Sequence, residues 1–159
     1  MFFTFLSLGA SLFGFGKKEQ PQFHDSIVGN WTIVGRELTE DPVNVSFNLN
    51  IAKNEDNKFS GVLIGEDEDG VPAPVGNIEI SLDEDNTTYN FVYSPEGAEA
   101  EEPVKFTPSK TQTGYTVLGQ YENSTVVMKL LFERFVELTI IDENTKVIST
   151  YTLSKEVRS

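Results

Sequence analysis

From Val43 to Ile51 the chain reads VNVSFNLNI, with Val43, Val45, Phe47, Leu49 and Ile51 alternating with Asn44, Ser46, Asn48 and Asn50. A period of two puts one dry and one wet face on an extended segment, whereas a helix would scatter these apolar residues around its circumference. Comparable runs recur along the chain and predict strands at 27–38, 43–52, 58–65, 75–82, 87–94, 103–108, 114–121, 125–132, 135–141 and 146–153. Turn-forming stretches separate them, among them NEDN, GEDEDG, DEDN, SPEGAEAEEP, TQTG and DENT. No stretch carries a capped 3.6-residue period. The pattern predicts an all-β domain of about 8–10 strands, either an antiparallel up-and-down barrel or a two-sheet β-sandwich.

In a barrel the alternation turns Trp31, Phe47, Leu49, Phe91, Phe106, Tyr115, Val117, Met128 and Leu130 inward. Such side chains either fill the interior or line a pocket for a small apolar or cationic ligand. Over 124–138 both faces are rather apolar, because Val127 and Leu131 join Lys129 on the outside. That pattern points to a covered face, and hence to a protein partner or a homodimer.

The N-terminus departs from this texture. Residues 1–16, MFFTFLSLGASLFGFG, carry no charged side chain, and Phe2 to Phe15 match a signal h-region in length while falling short of a membrane span. Gly14 and Gly16 supply small residues for a cut before Lys17, although the n-region lacks basic side chains. The expected layout is a signal peptide at 1–16, a polar lead-in at 17–24 and a single domain at 25–159, with no membrane span in the mature chain. Asn-x-Ser/Thr sequons at Asn30, Asn44, Asn86 and Asn123 fit the same route, so the expected location is secreted or within the secretory-pathway lumen.

Charge and composition narrow the function classes. The net charge of −13 repels phosphate backbones, so no nucleic-acid partner is expected. If the strands run up and down in order, one end gathers Glu66, Asp67, Glu68, Asp69, Glu99, Glu101 and Glu102, an acidic rim suited to cationic ligands or to solubility. GEDEDG does not fit an EF-hand loop, because Gly65 and Gly76 stand where the first and twelfth ligands belong. With no cysteine and one histidine, His24, read as a linker or surface residue, no metal site, cofactor or catalytic triad is expected. The acids fall mainly in solvated turns, so the chain reads as a non-enzyme.

Gly29-Asn30-Trp31, at the start of the first strand of such a meander, resembles the lipocalins and the related fatty-acid-binding proteins. The resemblance implies a calycin-type barrel holding a small ligand, with Trp31 at the closed end beneath a late-strand arginine, for which Arg134 and Arg158 are the counterparts. The chain departs from the pattern where Ser149 stands two residues before Tyr151 in place of an arginine. It also lacks a helix-turn-helix after the first strand, a C-terminal helix and a disulfide. The alternative is a non-enzymatic β-domain with a protein-interaction or structural role.

Overall fold

The structure, a computed structural model, describes residues 22–132 and 134–156. The expected signal peptide, residues 17–21 of the lead-in, and Arg158 lie outside the described residues. A short helix α1 (Phe23–Ile27) precedes eleven strands: β1 (Gly29–Glu37), β2 (Val43–Glu55), β3 (Lys58–Glu66), β4 (Pro72–Leu82), β5 (Tyr89–Pro95), β6 (Val104–Phe106), β7 (Ser109–Lys110), β8 (Gly114–Tyr121), β9 (Ser124–Leu131), β10 (Phe135–Ile141) and β11 (Val147–Lys155).

All eleven strands form one antiparallel sheet, in the order β6-β5-β4-β3-β2-β1-β11-β10-β9-β8-β7. The sandwich alternative is thereby set aside, because a sandwich needs two sheets. Every strand pairs with its neighbours in sequence except β6 and β7, which end the sheet, and β1 also pairs with β11 from Trp31↔Lys155 to Glu37↔Ser149. The sheet curls until β6 lies against β8, where the Val104 side chain faces Gly119. Across this seam Tyr121 donates its hydroxyl hydrogen to the Glu101 carboxylate.

One end of the barrel is closed. Phe23 and Ile27, four residues apart on α1, insert among the inward side chains of the lower strands. The Phe23 ring meets Tyr89, Tyr115 and Phe106 edge-on, with centroids at 5.1, 5.6 and 5.8 Å. His24 is therefore not a linker residue: it stacks on Phe59 at 5.4 Å, and its Nδ1 lies 2.8 Å from the Tyr89 hydroxyl.

Gly29 follows with φ +139, a region that side chains rarely adopt, and a Cβ there would meet Lys155 Cε at 2.6 Å. Beside it, Trp31 is 3% exposed and its Nε1 donates to the Ile27 carbonyl at 2.8 Å. The cation over the indole is Lys155, not Arg134. Its Nζ sits 5.6 Å from the ring centroid and donates to the Ser26 carbonyl at 2.9 Å, while Arg134 is exposed in the β9–β10 turn. The long methylene stem of lysine lets it cover the indole and still reach a polar acceptor.

Candidate functional site

On β1 and β2 burial falls from floor to mouth, whereas on β11 Ser149 near the mouth is buried and Leu153 lower down is half-buried. On β2, Ile51 and Leu49 are buried, Phe47 and Val45 half-buried, and Val43 is 49% exposed. On β1, Trp31 and Ile33 are buried, Gly35 is half-buried and Glu37 exposed. The lower half of the barrel is thus a packed plug, and the upper half is a cup whose inward apolar residues reach solvent.

Burial divides the sequence-predicted interior. Trp31, Leu49, Tyr115, Val117 and Leu130 are all buried and belong to the plug. Phe106 also sits low, stacked on Tyr89 at 5.6 Å and 10°. Phe47, Phe91 and Met128 are half-buried and line the cup. The sequence reading missed Leu63, Tyr93, Tyr151 and Leu153, half-buried residues packed on the same core.

Glycines shape the cup wall. Gly35 on β1 pairs with Tyr151 on β11, and a Cβ there would run into the Tyr151 ring. At Gly76 a Cβ would meet the Tyr93 hydroxyl at 2.7 Å, and at Gly65 it would meet the Phe47 ring at 3.2 Å. Three aromatic rings therefore rest against the backbone of a neighbouring strand, in the arrangement by which aromatics cover exposed glycines in a sheet. Their polar ends have partners: the Tyr93 hydroxyl donates to the Val75 carbonyl at 3.2 Å, and the Tyr151 hydroxyl donates to Glu37 at 3.4 Å. Burial raises both phenols, helped by the Glu101 carboxylate at Tyr93 and by Glu37 at Tyr151.

The mouth is acidic, as the ordered meander predicts. The connections 38–42, 67–71, 96–103, 122–123 and 142–146 share this end, so Glu66, Asp67, Glu68, Asp69, Glu99, Glu101 and Glu102 lie around one opening. Part of this charge shapes the loops themselves. Asp67 accepts from the backbone N–H groups of Asp69 and Val71 at 2.8 and 2.9 Å, and Asp142 does the same for Asn144 and Lys146. Among the described residues no group of three or more His, Asp or Glu side chains is placed to hold a metal ion.

Two grooves run along the wall. The upper, about 690 Å³, is lined by residues of β11, β1 and β2 with Glu66, and the lower, about 440 Å³, by residues of β11, β1, β2 and β3. The sequons Asn44 and Asn30 line the upper and lower groove respectively, and Asn86 and Asn123 stand on exposed loops. On the opposite wall, outward Val127 and Leu131 are half-buried, Leu118 paired with Val127 is 63% exposed, and Phe132 at the β9–β10 turn is 70% exposed. Among the described residues no helix is long and apolar enough to cross a membrane.

No family model matches this chain, and no curated protein matches it. Among solved structures it is similar to the S-type phycobiliprotein lyase CPES from Guillardia theta, at 12% identity and a TM-score of 0.56, over 86% of this chain and 92% of that one. A redesigned β-barrel matches at 12% identity and a TM-score of 0.47, over 85% of this chain and 96% of that one. A de novo designed fluorescence-activating β-barrel matches at 12% identity and a TM-score of 0.41, over 83% and 95%. The chain shares with the lyase the fold of an antiparallel up-and-down β-barrel.

Proposed function

We propose that this chain is a secreted or lumenal, lipocalin-like barrel that binds a small apolar or cationic molecule in its upper cup, without chemical turnover. The observation that carries this reading is the division of the interior into a sealed plug below and, above it, half-buried Phe47, Phe91, Tyr93, Met128 and Tyr151 open to solvent. Apolar side chains left reachable inside a rigid wall, with a few anchored hydroxyls among them, are the usual make-up of a small-molecule site. The acidic mouth favours ligands of neutral or positive charge by raising their local concentration. Trp31 beneath Lys155 supports the lipocalin-like reading, with lysine in the place expected of arginine. The apolar residues 1–16 and the four sequons support passage through the secretory pathway, with exposed Asn30, Asn86 and Asn123 as the glycosylation sites.

Titration with Nile red, a neutral solvatochromic dye, tests the cup. A saturable 1:1 enhancement that Met128→Glu or Phe91→Asp abolishes is expected, with Leu118→Asp on the outer face as the neutral control. Equal enhancement by all of these proteins overturns the reading. Expression in a eukaryotic secretory host tests the route: cleavage before Lys17 and a glycosidase-sensitive mass are expected, and an intact, unglycosylated cytosolic chain contradicts it.

A second reading, a protein partner or homodimer through 124–138, draws on Phe132, which is bulky, 70% exposed and held at φ +53. Residues kept in sparsely populated backbone regions concentrate at functional surfaces.

A further inference from the structure

The ladder between β2 and β3 is incomplete at the mouth. It ends at Asn48↔Ile64, although β2 continues upward to Val43 and β3 continues to Glu66. Above that point β3 stays with β4, through Ile64↔Pro74, Gly65↔Ala73 and Glu66↔Pro72, after a register shift between Leu63 and Ile64. On its other side β2 remains fully paired with β1, from Val34↔Ser46 to Glu37↔Val43. The segment Val43–Ser46 therefore has a second edge with no strand partner among the described residues.

Three features set this edge apart. Natural edge strands are blunted by lysine, proline or bulges, yet Val43, Asn44, Val45 and Ser46 include neither residue, and no register shift falls within them. The larger groove, about 690 Å³, opens here, with outward Val34 and inward Val45 and Phe47 in its lining. Exposed large hydrophobics also gather at this end of the barrel, where Val71 is 54%, Val34 50% and Val43 49% exposed.

Charge decides what fits. Across the gap stand Glu66 at the end of β3 and Glu68 and Asp69 in the β3–β4 connection, all exposed, and Glu66 itself lines the groove. Arg36 is the one cation of the lining, set back from the open edge by the width of β2. An incoming strand would have its backbone beside β2 and its side chains alternating between the inward face, with apolar Val45 and Phe47, and the outward face, where Glu66 stands.

We infer that Val43–Ser46 accepts an extended segment of a partner protein whose residues alternate between apolar and basic. Main-chain hydrogen bonds to β2 give the segment its register, and Glu66, Glu68 and Asp69 select its charge. At about 3.3 Å per residue the edge receives a segment of about four residues.

The test uses the isotope-labelled protein and three blocked heptapeptides: one alternating valine and lysine, its analogue N-methylated at alternate backbone nitrogens, and one alternating valine and glutamate. With the lysine peptide at about 1 mM, amide exchange at 43–46 is expected to slow about tenfold. N-methylation, the glutamate peptide and the Glu66→Lys/Glu68→Lys protein are each expected to remove that protection. Absence of protection at 43–46, or equal protection by the N-methylated peptide, overturns the proposal. A dimer that protects 43–46 without peptide overturns it in favour of a second copy of this chain.

Discussion

Trp31 and Lys155 face each other across the β1–β11 ladder, and both are tied to α1: the indole nitrogen donates to Ile27 and the ammonium donates to Ser26. The first strand, the last strand and the helix thus meet at one cation–aromatic contact. Trp31→Phe leaves the Ile27 carbonyl without its donor and is expected to cost about 1–3 kcal/mol. Lys155→Met keeps the stem but removes the charge, at an expected cost of about 1–2 kcal/mol. Urea unfolding of both variants checks these values, and the double variant is expected to lose less than their sum because the two residues share one contact.

Gly35 makes room for the Tyr151 ring. In Gly35→Ala the new Cβ meets that ring and also the Thr150 carbonyl at 2.7 Å, and an expected loss of about 1–3 kcal/mol follows from overpacking. In a Tyr151→Ala background part of this cost disappears, while the part due to the carbonyl remains. The same substitution displaces the ring into the cup, so Nile red affinity is expected to fall together with stability.

Two tyrosines make the fold sensitive to alkali. Burial raises Tyr89 to about 12, and the hydrogen bond to Glu101 raises Tyr121 to about 12, from an ordinary value of 10.0. Below pH 10 both phenols are protonated, folded or unfolded, and their contribution is fully present. Above pH 10 the unfolded chain releases protons that the folded chain retains, so stability falls as pH rises through 12. Denaturation midpoints taken upward from pH 9 are expected to show this fall. Glu101→Gln is expected to bring the Tyr121 titration, followed by tyrosinate absorbance, back toward 10.

Phe132 occupies a left-handed backbone position at φ +53 in the β9–β10 turn, a conformation that asparagine tolerates better than a bulky aromatic. Phe132→Asn is expected to raise stability by about 0.5–1 kcal/mol, read as a higher urea midpoint. If this turn meets a partner, the same variant gains stability while losing association.

Much of the sheet was legible in the alternation of apolar and polar residues. The predicted segments 114–121 and 135–141 coincide with β8 and β10, and 43–52 lies within β2. Alternation did not separate barrel from sandwich, because an inward Phe47 with outward Asn44 and Asn48 suits either; pairing order decides that, and it is not written in a period of two. Helix α1 was hidden by its length, since five residues hold only the Phe23 and Ile27 pair and show no period. The cup was half legible. Phe47, Phe91 and Met128 were recognised as inward, but their height above the floor depends on which residues α1 buries. Lys155 escaped notice because a lysine in a C-terminal strand reads as surface until its stem is seen across the indole. The gap above Asn48↔Ile64 left no mark in the pattern, as β2 and β3 both keep alternating after they part.

The sheet begins at β6 and ends at β7, although these strands are separated in sequence only by Thr107 and Pro108. The chain therefore forms two successive meanders, β1–β6 and β7–β11, whose continuous ladder with each other is the one between β1 and β11. A nick at 107–108 severs no rung of the sheet and leaves two fragments with complementary edges. The fold is thus two meanders joined along a single ladder, so the β1–β11 pairing carries the continuity of the whole sheet.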